Sequence, residues 1–170
     1  QFMRNMLQLN NGNGTFSDVG QIAGVARTDW SWSALIADYD LDGNLDIVKT
    51  NFAGDTPSLY HNLGGANFED ATFTAGLGAH TQYLGWGCGF LDMDNDGWPD
   101  ILICNGHVYP EVEQLKTEAG YAQRKLLYRN LRNGRFVDVG LQMGVALSED
   151  IAGGLTAFEP NLYVYDAYPG

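Results

Sequence analysis

Positive charge is scarce in this chain: 170 residues carry nine Lys plus Arg against 21 Asp plus Glu, for a formal charge of -12 and a sequence pI near 4.3. A surface of that sign repels phosphate backbones and anionic headgroups, which excludes nucleic acid and acidic membranes as main partners. Long apolar runs are missing as well. No stretch approaches the ~18 apolar residues that a membrane-spanning helix needs. Cys88 and Cys104 are the two cysteines, too few for a disulfide framework and too few for a zinc centre without further ligands. His61, His80 and His107 are scattered, with no Ser, Cys or carboxylate at a recognisable catalytic spacing. A non-catalytic protein is therefore expected. The chain opens on Gln1 without an initiating Met or a charged-then-apolar leader, which points to a processed or excised segment.

What is present is carboxylate, concentrated in two nine-residue runs. Asp38-Tyr39-Asp40-Leu41-Asp42-Gly43-Asn44-Leu45-Asp46 and Asp92-Met93-Asp94-Asn95-Asp96-Gly97-Trp98-Pro99-Asp100 both place Asp at positions 1, 3, 5 and 9 and Gly at 6. A short loop needs this pattern to wrap oxygens around a hard divalent cation while its backbone turns sharply. Acidic surface turns are the bland alternative, but four carboxylates within nine residues, with no Lys or Arg inside, repel one another unless a cation sits among them. Calcium is expected at two sites: Asp38, Asp40, Asp42 and Asp46 with the Asn44 carbonyl, and Asp92, Asp94, Asp96 and Asp100 with the Trp98 carbonyl. Two such ions would bring the formal charge from -12 to -8. Folding should depend on them. Millimolar calcium outside cells suits loops of this kind, so an extracellular location is expected.

An EF-hand would carry a bidentate Glu at position 12 between helices; Lys49 and Ile103 stand there. The flanks Ala34-Leu35-Ile36-Ala37 with Ile47-Val48, and Gly89-Phe90-Leu91 with Ile101-Leu102-Ile103, are short and rich in branched residues. They read as strands entering and leaving each loop.

Self-similarity extends further. Phe16-Ser17-Asp18, Phe68-Glu69-Asp70 and Phe136-Val137-Asp138 share Phe-x-Asp, each with Gly eight residues after the Phe, at Gly24, Gly76 and Gly144. Asn/Gly turns precede each, and Trp32 and Trp86 each lie six residues before a loop. Three units follow: 1–56 with loop 38–46, 57–124 with loop 92–100, and a degenerate 125–170. The Phe-to-Phe period lengthens from 52 to 68 residues because of an insertion at 110–124, whose composition predicts a short helix near 111–122. With 22 Gly against a usual ~7%, tight turns between short strands and an all-β chain of propeller-type blades are predicted.

On these residues, together with Asn13-Gly14-Thr15-Phe16-Ser17-Asp18-Val19, Gly85-Trp86-Gly87 and Asn105-Gly106-His107-Val108-Tyr109-Pro110, the chain resembles the FG-GAP/VCBS calcium-binding repeats of integrin-type β-propellers. It is similar most of all to the repeat region of secreted ASPIC/UnbV-domain proteins of the cartilage acidic protein type. The resemblance covers about residues 5 to 147 and implies a propeller with calcium in hairpin loops and roles in adhesion, ligand binding or scaffolding. Related propellers that are polysaccharide lyases or dehydratases make a fragment of a carbohydrate-active enzyme the alternative. Protein or glycan partners, copies of the chain among them, are implied, and self-assembly into an array is the sharpest form of that expectation. Three units are fewer than the about four blades of a closed propeller. A third acidic loop, due near 158–162, is replaced by Ala157-Phe158-Glu159-Pro160-Asn161-Leu162, and the alternating Leu162-Tyr163-Val164-Tyr165 reads as a strand, lent to a neighbour or paired within its own chain.

Cys88 and Cys104 stand four residues outside the two ends of the second loop. A cross-strand disulfide and two free thiols both remain open, since a slip of one residue turns a side chain to the other face. Asn13-Gly14-Thr15 is a formal glycosylation acceptor at Asn13 that also forms the repeat's turn. Trp32 and Trp86 are read as blade-packing residues and His107 as the holder of its turn.

Overall fold

The computed structural model describes residues 4–144, 147, 151 and 152. The chain is all-β among these residues, built of antiparallel sheets with helical backbone confined to short 3-10 turns and to Leu147. A two-stranded sheet pairs β1 (Gln8–Asn10) with β2 (Phe16–Asp18). The first four-stranded sheet runs in chain order through β3 (Ser31–Ala37), β4 (Asp46–Asn51), β5 (Ser58–Asn62) and β6 (Phe68–Asp70). The second contains β7 (Gly85–Leu91), β8 (Asp100–Asn105), β10 (Leu126–Asn130) and β11 (Phe136–Asp138). Its insertion contributes β9 (Ala122–Gln123), which pairs with β12 (Ile151–Ala152).

The two larger sheets repeat each other residue for residue. Ala37 faces Asp46 and Ala34 faces Lys49 in the first; Leu91 faces Asp100 and Cys88 faces Ile103 in the second. Both carry an irregularity at the start of the first strand, between Ser31 and Ala34 and between Gly85 and Cys88, where one extra residue twists the strand. The central strands β4 and β8 are buried along most of their length, which is why branched residues fill them without alternation. Sheets are phased differently from the sequence units: the acidic loop joins the first two strands of a sheet, and the Phe-x-Asp strand ends it.

The core lies between the two sheets, where Val48, Leu59 and Leu77 pack with Ile101, Leu126 and Tyr128. Main-chain bonds set the spacing. Phe68 N–H donates to the Ala23 carbonyl (3.4 Å) and Phe136 N–H to the Ala75 carbonyl (2.7 Å), so the turn leaving one sheet is stitched to the last strand of the next. Gly76, at φ +90°, sits at that seam, and a Cβ there would stand 2.7 Å from the Phe136 carbonyl oxygen. Trp32 on β3 and Trp86 on β7 have ring centroids 4.7 Å apart, with Trp32 left exposed.

Three expectations are corrected or left aside. The helix near 111–122 is one 3-10 segment, Pro110–Gln114, with no side-chain cap, and the insertion closes through Tyr121 N–H donating to Glu113 Oε1 (2.6 Å). No disulfide joins Cys88 and Cys104, which are free thiols. Asp100 already pairs with Leu91, so Cys88 falls opposite Ile103 and Cys104 is one residue out of step, on the other face. The degenerate loop near 158–162 and the Tyr-rich tail lie outside the described residues.

Candidate metal centre

Each acidic loop is a reversal between the first two strands of its sheet, and the two share one backbone trace. Position 4 is left-handed in both, Leu41 at φ 60° and Asn95 at φ 54°, and so is the Gly at position 6, Gly43 at φ 91° and Gly97 at φ 87°. A non-glycine residue in that region is uncommon, and its recurrence 54 residues later shows that the turn is imposed by the loop's own bonding. Asp38 accepts from the N–H groups of Asp42 (3.1 Å) and Gly43 (2.9 Å); Asp92 accepts from those of Asp96 (2.9 Å) and Gly97 (2.9 Å). Asp42 and Asp96 receive the N–H of the residue two further on, at 2.7 and 2.9 Å.

The last carboxylate of each loop is buried and doubly held. Asp46 accepts from Tyr39 N–H (3.2 Å) and Asn62 N–H (2.8 Å), and Asp100 from Met93 N–H (2.9 Å) and Asn130 N–H (2.7 Å). Burial nevertheless pushes both carboxyls above their ordinary range. Asp40 is raised too, by burial first and by Asp42 second. Asp42 and Asp96 are lowered, chiefly by the backbone N–H bonds just described.

One oxygen each from Asp38, Asp40 and Asp46 lies within 4.8 Å of the others, as does one each from Asp92, Asp94 and Asp96. Asn44 Nδ2 donates to Asp42 Oδ2 (3.0 Å), which ties its side chain back to the loop. Hard oxygens gathered this closely are the donor set a divalent cation of the calcium type accepts. Asp100 stands outside the second cluster of three, tied instead to the backbone.

Residues from the third strand of each sheet and the turn after it reach these loops, and sequence reasoning did not place them there. His61 brings Nδ1 to 3.2 Å from Asp46 and 3.4 Å from Asp40, yet that buried nitrogen makes a hydrogen bond with neither. At the matching position of the second sheet Arg129 pairs with Asp94 (2.7 Å), and Arg132 from the following turn pairs with Asp96 (2.6 Å). Asn62 Nδ2 donates to the Leu45 carbonyl (2.9 Å). Its counterpart Asn130 donates to both Pro99 (3.0 Å) and Tyr39 (2.9 Å), and so touches both loops. The available signal was the Tyr-x-Asn-Leu repeated at Tyr60 and Tyr128.

The other expected sites lie apart. Exposed Asn13 closes its own turn, accepting from Thr15 N–H (3.1 Å) and Thr15 Oγ1 (2.6 Å). His107 holds its turn through Nδ1, which accepts from Tyr109 N–H (3.2 Å). His80 lies 3.2 Å from Asp138. Trp98 N–H is bonded to Asp96 as the loop requires.

Residues 2–48 match the family model of the FG-GAP-like repeat. That stretch runs from the strand pair β1–β2 through the whole first acidic loop into β4. No curated protein matches the chain.

Proposed function

We propose that the chain is a calcium-stabilised, extracellular and non-catalytic repeat module with a structural, adhesive or binding role. The observation that carries this reading is the duplicated loop: two independent stretches adopt the same strained turn and gather carboxylate oxygens within 4.8 Å. Asp38, Asp40, Asp42 and Asp46 with the Asn44 carbonyl would hold one ion, and Asp92, Asp94, Asp96 and Asp100 with the Trp98 carbonyl the other. A bound ion would supply positive charge where folding concentrates negative charge, and so favour the compact chain. Arg129 and Arg132 already offset part of that charge in the second loop, so the first loop is the tighter of the two.

Similarity to the FG-GAP-like repeat supports a propeller-type role in which sheets stack side by side. The pair β1–β2 has the register of β5–β6 and β10–β11, and among the described residues nothing pairs with the outer edge of β1. Two further strands, from a longer chain or from another copy, would complete that blade. Proteins, glycans and copies of the chain are the partners proposed.

Calcium titration followed by thermal unfolding tests the reading. Ligand at 100 times its dissociation constant should add ~2.7 kcal/mol per site, and EDTA should remove the gain. An unchanged melting curve with millimolar calcium present would defeat it.

A further inference from the structure

Lys49 is 3% exposed in the middle of the central strand β4, where the second sheet has Ile103. An apolar residue satisfies that position, so a buried ammonium there needs a reason. One of its three donors is used, on Asn51 Oδ1 at 2.7 Å. Lys49 lines a cavity of about 370 Å³ together with Asp29, Asp55, Thr56, Ser58 and Tyr60.

The second sheet shows what the repeat places in this space when it is closed. Arg124, 5% exposed, fills it there: its guanidinium pairs with Asp138, bonds Tyr83 Oη (3.1 Å) and lies over the Tyr83 ring. Asp70 holds the register position of Asp138, and counting back from the paired Ser58 and Leu126 sets Thr56 at the position of Arg124. The first sheet has thus exchanged a plug for an opening and moved the cation onto the cavity wall as Lys49.

We propose that this cavity binds a neutral polyhydroxylated ligand, the ring of a sugar. Its wall carries Arg27 and Lys49 against Asp29, Asp55 and Asp70, so neither an anion nor a cation is strongly preferred. Hydroxyl groups, which donate and accept at once, match such a wall: they accept from Lys49 and Tyr60 and donate to the carboxylates. Burial beside Asp70 pushes the Tyr60 phenol up to about 12, which keeps it a donor. An apolar side chain is at hand in Phe73, 76% exposed, whose ring stands so close to Gly78 that any Cβ there would collide with it. A more apolar cavity of about 470 Å³ adjoins across Gly54 and Thr81, reaching His107 and Tyr109, and gives a longer glycan room to continue.

The assignment deepens the binding role proposed above and rests on that role, not on calcium. The test is a titration of the full chain, uniformly labelled with ¹⁵N, with glucose, galactose, mannose and N-acetylglucosamine to tens of millimolar. At least one sugar is expected to shift the amides of Thr56, Ser58 and Thr72, and Thr56→Arg, which restores the plug, and Lys49→Met should each weaken that binding at least about tenfold. Silence across the panel, shifts confined elsewhere, undiminished binding by a folded Thr56→Arg, or stronger binding of acetate or sulfate than of any sugar would overturn it. If a variant fails to fold, the location of the shifts in the unaltered chain decides. Repeating the titration in EDTA while following melting separates the two readings: calcium is read by the melting curve, the sugar by the amide shifts.

Discussion

Asn130 is where the two acidic loops meet, since one side-chain amide serves the carbonyls of Tyr39 and Pro99. Asn130→Ala should leave both carbonyls unpaired in a buried setting and cost about 1–3 kcal/mol in chemical denaturation. Asn62→Ala, which frees one exposed carbonyl, should cost less. Arg129 and Arg132 act in the opposite sense, because their pairs with Asp94 and Asp96 must loosen before a cation enters. The double change Arg129→Ala with Arg132→Ala should tighten calcium at the second loop several-fold by calorimetry, given about 0.2–1 kcal/mol for each exposed pair. The carboxylate clusters were legible in the sequence because nine consecutive residues hold each of them. The Asn and Arg partners were not, because they arrive from a strand and turn 17 to 36 residues away that only the folded sheet brings alongside.

At the scale of the hairpin, the buried ends of the loops give the metal-free protein a characteristic pH response. Asp46 and Asp100 are held above the ordinary carboxylate value by burial. In the window between the unfolded and folded values the native chain keeps protons that the unfolded chain has released. Stability is therefore present on the acid side and lost as pH rises through the folded values. In EDTA the contribution of these two carboxyls should make the melting temperature fall as pH rises from the ordinary carboxylate value into the range just above it, and calcium should oppose that fall because it binds the ionised form. The strands around the loops were readable from their branched residues. The cysteine register turned on whether the loop held eight residues or nine, a difference that spacing alone leaves open. With both thiols free, thiol titration of the denatured, unreduced chain should count two, and a reductant should leave the melting curve unmoved. Pro110 to Ala119 has the composition of a helix, but only Pro110–Gln114 winds, as a 3-10 segment without a side-chain cap, and the rest of the insertion is held by Tyr121 N–H on Glu113.

For the whole molecule the deciding contacts are the seams between sheets. Gly76→Ala forces a side chain into the left-handed region and against the Phe136 carbonyl, and should destabilise by about 1–3 kcal/mol. Gly14→Ala, at φ +82° with open space around it, should cost less, and denaturant midpoints compare the two. The threefold Phe-x-Asp and Gly spacing announced a repeat, yet it did not announce where one sheet stops, since the period is the same wherever it is cut. Both seams are made by peptide groups, Phe68 with Ala23 and Phe136 with Ala75. The angular step from sheet to sheet is thereby inherited by any sequence that preserves the turn, whatever decorates the strands. An ancestor could lengthen such a row by tandem duplication and let each new copy drift in chemistry, one keeping its arginine stopper and another opening a niche, without renegotiating the curvature of the whole.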